Sequence, residues 1–122
     1  MNTAMDEKIQ LTPASHILIG APRTPPRKKR IKQLFDMLSD LDAVREAHLP
    51  EVMKIGSAAP AALVLFLVVD PESEIPAVME TVTRRLKGFL ARSERLDVRP
   101  ISTRHELLPT IKEVDCVIGW RD

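Results

Sequence analysis

The stretch Ala62-Leu63-Val64-Leu65-Phe66-Leu67-Val68-Val69 is apolar at every position and is bounded by turn residues, Ala59-Pro60 before it and Asp70-Pro71 after it. A strand that faces water on one side alternates apolar with polar residues, whereas an unbroken apolar run is buried on both pleat faces. This stretch is therefore expected to be a central strand. Directly after it, Asp70-Pro71-Glu72-Ser73-Glu74 offers caps and first-turn acids. Ile75, Val78, Met79, Val82, Leu86, Phe89 and Leu90 then recur at helical spacing as far as Arg92, which predicts a one-sided helix.

On the N-terminal side of the central strand, Gly56 to Pro60 reads as a small flexible turn. Val44 to Met53 alternates imperfectly and carries Pro50, which predicts an edge strand with a bulge or break at the proline. Before it, Ile31, Leu34, Phe35, Leu38 and Leu41 fall at offsets of 3, 4, 7 and 10, one face of a helix ending near Asp40. Thr24 is its expected N-cap and Pro25 its first helical position, where a missing N–H costs nothing. His16 to Gly20 is β-branched and apolar and runs into Ala21-Pro22, so it reads as the first strand. Residues 1–15 are mixed and polar and are expected to be a flexible leader, with 16–122 as a single domain. On the C-terminal side, Leu96 to Ile101 predicts a short strand, His105 to Ile111 a helical turn and Cys116 to Trp120 a final extended piece.

Two helices that each lie between strands, each apolar on one face, pack on the same side of one sheet. The expected architecture is α+β: a two-layer, ferredoxin-like β-α-β-β-α-β sandwich with both helices on one face of an antiparallel sheet. A chain of 122 residues with 44% apolar and 29% charged residues has the composition of an ordinary globular domain. A net charge of +1 argues against a surface tuned as a whole to nucleic acid or anionic membrane, and leaves room for a local patch. Cys116 is the only cysteine, so no intramolecular disulfide forms and a cytoplasmic location is expected. The longest apolar run, Ala58 to Val69, is too short to span a bilayer, and residues 1–15 lack a signal-peptide core, so no membrane partner is expected.

From Ile19 onward the chain resembles the C-terminal domain of the bacterial SseB family, named for enhanced serine sensitivity. The resemblance rests on several segments in register. Gly20-Ala21-Pro22 precedes a proline-started helix, and Val44-Arg45-Glu46-Ala47-His48-Leu49 stands where the family has a valine and then an alanine-aromatic-leucine strand. The apolar strand Leu63 to Val69, the helix after it and a late Val98-Arg99-Pro100-Ile101 strand complete the match. The end departs from the pattern, with Ile118-Gly119-Trp120 in place of a Pro-Phe-Tyr-like segment, and residues 1–15 are not expected to supply the family's preceding N-terminal domain. The resemblance implies a bacterial, non-enzymatic binding or regulatory module and carries over no catalytic residue.

The polar residues that stand out are Arg23, Arg27, Lys28, Lys29, Arg30 and Lys32, crowded into the start of the first helix. Cations there face the positive end of the helix macrodipole, whereas the second helix begins with Glu72 and Glu74 and ends with Arg84, Arg85, Lys87 and Arg92. Such a cluster is either a solvated charged face or a site for an anion or an acidic partner. One Trp, three Phe and no Tyr are too few for a base-stacking platform, so sequence-specific nucleic-acid binding is not expected. His16, His48, His105 and Cys116 share no short ligand spacing, so no metal or other cofactor is expected. Trp120 is either a plug closing the sheet edge or an exposed partner anchor. Two expectations follow: a module acting through a protein partner or homodimer, or a sensor of a small anionic metabolite or phosphate-bearing ligand at the basic segment.

Overall fold

The computed structural model describes residues 10–11, 17–56, 60–91, 96–114 and 116–118. Among these residues the fold is α+β, with a curled, mainly antiparallel sheet and three α-helices. In chain order the elements are β1 (Gln10–Leu11), β2 (Ile17–Gly20), α1 (Lys28–Leu38), β3 (Val44–His48), β4 (Glu51–Lys54), β5 (Ala62–Val69), α2 (Ile75–Lys87), β6 (Asp97–Ile101) and α3 (Leu108–Val114).

β5 is the centre, and its all-apolar sequence has a direct cause. Leu65, Leu67 and Val69 face one core with Leu34, Met37 and Leu38 of α1 and Val78, Val82 and Leu86 of α2. Val64, Phe66 and Val68 face a second core with Ile19, Ile101, and Leu108 and Ile111 of α3. Alternate side chains thus enter different cores, and from Val64 to Val69 neither pleat face meets water. The expected helical turn near His105–Ile111 is the start of α3, which covers the second face. Two layers become three over β5.

β3 and β4 pair with one edge of β5 in a continuous antiparallel register, from Val52 opposite Ala62 to Glu46 opposite Val68. The strand break falls at Leu49-Pro50, where proline has no N–H to donate, although the Pro50 carbonyl accepts from the Val64 N–H at 3.0 Å. The register slip lies elsewhere, between Val44 and Glu46. This broken strand is internal, contrary to the edge position expected for it. Its outer side is covered by β2 along β4 and by residues 116–118 along β3, where the Leu49 N–H donates to the Cys116 carbonyl at 3.0 Å and the Ile118 N–H to the Ala47 carbonyl at 2.8 Å.

Two further departures concern pairing. β6 runs parallel to β5, because α2 carries the chain back across the sheet before β6 begins. The all-antiparallel expectation is corrected accordingly, and the strands follow nearly in chain order, with β2 beside β4 and β5 beside β6. Gln10–Leu11 pairs with β2, so part of the expected leader joins the sheet.

The apolar stripe of α2 is as its spacing predicts: Val78, Val82 and Leu86 are buried, with Ile75, Met79, Phe89 and Leu90 packed against them. On α1 the stripe is rotated slightly, with Met37 buried and Phe35 exposed. α1 begins at Lys28 with an extended Arg27 as N-cap, rather than at Thr24-Pro25. A residue that precedes proline is driven out of the helical region, so Pro26 excludes Pro25 from a first turn. Neither α1 nor α2 has a side-chain cap, and Glu72 and Glu74 lie in a short 3-10 turn leading into α2. No helix among the described residues is long and apolar enough to cross a membrane.

Candidate functional site

The six cations of the basic segment separate into two groups. Arg23 is drawn to Glu51 at the start of β4: its Nε donates to Glu51 Oε2 at 2.8 Å and its backbone N–H to Oε1 at 3.2 Å. Lys32 pairs with Asp36 one turn along α1 at 3.0 Å, an exposed i,i+4 bridge. Arg27, Lys29 and Arg30 instead stand together around a cleft of about 610 Å3, with Lys28 on the exposed side of the same turn.

The cleft lies where α1 begins, where the chain leaves α2 and where β5 starts. Pro26, Arg27, Lys29, Arg30 and Gln33 form its mouth, and Leu34, Leu49, Leu63, Leu90 and Leu96 its floor. Each leucine arrives from a different segment. Leu49 is placed by the break before Pro50, Leu63 by the first turn-side residues of β5, and Leu90 and Leu96 by the two ends of the α2–β6 connection. The lining includes no carboxylate among the described residues. The Arg30 guanidinium lies over the Phe89 ring, 5.4 Å from its centroid, which fixes its long side chain against the wall. Arg27, Lys28 and Lys29 have no ion-pair partner among the described residues, and α1 has no acid in its first turn. The arrangement is a built concentration of positive charge beside an apolar surface.

At its other end α1 is tied to α2. Arg85 Nη1 donates to the Met37 carbonyl at 2.7 Å and to Asp40 Oδ1 at 2.7 Å, and Nη2 donates to Asp40 Oδ2 at 3.1 Å. The hydrogen bonds from Arg85 hold the Asp40 carboxyl below its ordinary range and raise the guanidinium in return.

A polar group that sequence reading treated only as a metal candidate lies on the opposite face of the sheet. His48 is buried, with Nε2 at 2.9 Å from Glu46 Oε1, and Glu46 Oε2 is 3.4 Å from Lys112 Nζ of α3. The signal was present in Val44-Arg45-Glu46-Ala47-His48, since residues two apart on a strand share a face. His105 accepts the Leu107 N–H on Nδ1 at 3.0 Å and so helps start α3. The cysteine is half-buried beside β3, and the described residues contain no metal-binding cluster of His, Cys, Asp and Glu. Trp120 and His16 lie outside the described residues.

No protein-family model matches the chain, and no match was found among curated proteins or solved structures.

Proposed function

We propose that this protein is a non-enzymatic binding and regulatory module whose site is the cleft at the start of α1, and that its ligand is an anion. The observation that supports this reading most is the division of the basic segment. Two of its cations are paired with acids, while Arg27 and Lys29 have no acidic partner among the described residues and stand at the mouth of a cleft that Arg30 also lines. A merely solvated charged face gives no reason for that division. Three cations lining one concavity at the N-terminus of α1, the positive end of its macrodipole, attract carboxylate or phosphate oxygens.

A bacterial and cytoplasmic setting, and kinship with the SseB C-terminal domain, belong to the same proposal and rest on the sequence positions quoted above. β2, α1, the broken β3–β4 strand, β5, α2 and β6 keep the strand-helix order named for the ferredoxin-like sandwich, an order on which many small regulatory modules are built. The second reading is a protein partner or homodimer. It draws on Phe35, Met53, Ile55 and Val117, the large apolar side chains left exposed among the described residues. Scattered exposed residues of this kind are common on monomers, so the cleft is favoured.

The test is a titration of isotope-labelled protein with acetate and with inorganic phosphate, followed by backbone amide NMR shifts. Shifts centred on Arg27 to Ile31 that vanish in Arg27→Gln/Lys29→Gln, and survive in Arg23→Gln/Lys32→Gln, are expected. Equal behaviour of the two double variants would remove the cleft as the anion site.

A further inference from the structure

We infer that the ligand of this cleft is a single-chain amphiphile, an oxyanion head held at the mouth and an unbranched apolar tail lying along the leucine floor. The inference rests on the anion-binding reading above and adds the class of ligand. A site for a small hydrophilic anion needs donors on all sides, because each anion oxygen left facing hydrocarbon costs hydration that nothing replaces. Here the donors Arg27, Lys29 and Arg30 all come from the start of α1, whereas four of the five lining leucines, Leu49, Leu63, Leu90 and Leu96, come from other segments and bring no donor.

The volume and the charge agree with this division. About 610 Å3 lies within the roughly 300–1,000 Å3 of small-molecule sites, far more than an inorganic anion fills. With no carboxylate among the described lining residues, the mouth is complementary to a negative head and repels a cationic one. Leu34 and Leu49 are buried, whereas Leu63, Leu90 and Leu96 are only partly covered, so the floor deepens from an accessible entrance to a packed end. A tail in that position covers apolar surface that the fold leaves wet. Arg30, steadied on Phe89, adds a guanidinium charge to the cleft wall, which suits either a carboxylate or a phosphate head.

The experiment is calorimetric titration of the full chain with hexanoate, octanoate and decanoate, then with decyl phosphate, decanol and decyltrimethylammonium, all below their micelle concentrations. The affinity is expected to rise roughly tenfold at each step of two methylenes, the increment for full burial of the added carbon. Decanol and the cationic amphiphile are expected to bind at least about tenfold more weakly than decanoate, as loss of a charged hydrogen bond implies. The comparison of decanoate with decyl phosphate decides which head is preferred.

Arg27→Gln/Lys29→Gln should weaken decanoate roughly tenfold and leave decanol unchanged. Leu63→Asp, at a half-buried position, should do the reverse to the chain-length series, flattening it, with a melting curve to verify that it folds. A flat series in the unaltered protein overturns the tail while leaving anion binding intact. Decanol binding as tightly as decanoate overturns the head and the anion reading with it. A concentration-dependent dimer in sedimentation that decanoate does not dissociate assigns the cleft to a second copy, and overturns the proposal.

Discussion

α1 and α2 lie in the same layer and bury similar apolar stripes against the same face of β5, yet they carry opposite charge plans. α2 is led in by Glu72 and Glu74 and has Arg84, Arg85 and Lys87 in its last turn, the arrangement its macrodipole favours. α1 begins with Arg27, Lys28, Lys29 and Arg30, and has no acid in its first turn and no base in its last. Packing gives no account of the difference, since Leu34 and Leu38 are as fully buried as Val82. The charges of α2 favour its own helix, whereas those at the start of α1 do not. On the proposed reading, the cleft gives that unfavourable start a use.

The comparison would fail if α1 were only loosely held, because a poorly packed helix tolerates any charges. Leu34→Ala and Val82→Ala test this directly. Both side chains are wholly buried, in one core. Leu34→Ala is expected to destabilise by about 2–5 kcal/mol and Val82→Ala by roughly 1–3 kcal/mol, read as shifts in the urea midpoint at unchanged slope. A loss below about 1 kcal/mol for Leu34→Ala would mean that α1 is not an equal partner in the layer.

Charge reversal sharpens the comparison at a smaller scale. Lys28→Glu and Lys29→Glu should each stabilise the fold by about 0.3–1 kcal/mol at low salt, and Glu74→Lys at the N-cap of α2 should cost a similar amount. Lys29 lines the cleft and Lys28 does not. Lys29→Glu is therefore expected to gain stability and lose the anion, and Lys28→Glu to gain stability and keep most of its binding. Thermal melts at low and high salt, paired with the decanoate titration, separate these outcomes. If both reversals destabilise, the start of α1 is not under electrostatic strain and the contrast between the two helices fails.

How far these features were legible in the sequence follows from how local they are. β5 was readable because burial on both faces leaves no polar position in Val64 to Val69, and both helices were readable from their spacing. Pro50 marked a real break for the same kind of reason, a missing donor. The start of α1 is not legible from Pro25 alone, because the restriction that Pro26 puts on Pro25 overrides the preference of proline for a first helical turn. The internal position of β3–β4 depends on residues 116–118 and on β2, far away in the chain, and the parallel pairing of β6 depends on where α2 returns it. The same holds for the site. Its cations form one short run and were visible, whereas Leu49, Leu63, Leu90 and Leu96 come from separate segments and no periodicity joins them.

The smallest expected effect concerns the other end of α1, and it completes the contrast between the helices. α1 has no last-turn base of its own, but Arg85 of α2 reaches its Met37 carbonyl and forms a two-pronged pair with Asp40. The C-terminus of α1 is thus electrostatically served by its neighbour, while its N-terminus is left positive. Because Arg85 lowers the Asp40 carboxyl in the folded state, the pair contributes stability above the ordinary carboxyl value of 3.8 and loses it as pH falls through the lowered one. Asp40→Asn should therefore lower the melting temperature slightly at neutral pH, the pair being exposed, and the gap to the unaltered protein should narrow below 3.8 and then close. Arg85→Ala also removes the bond to the Met37 carbonyl, so its gap should persist in acid. A gap for Asp40→Asn that is constant with pH would show that the carboxylate charge does not bind the two helices, leaving the Arg85 bond to the Met37 carbonyl to serve the C-terminus of α1.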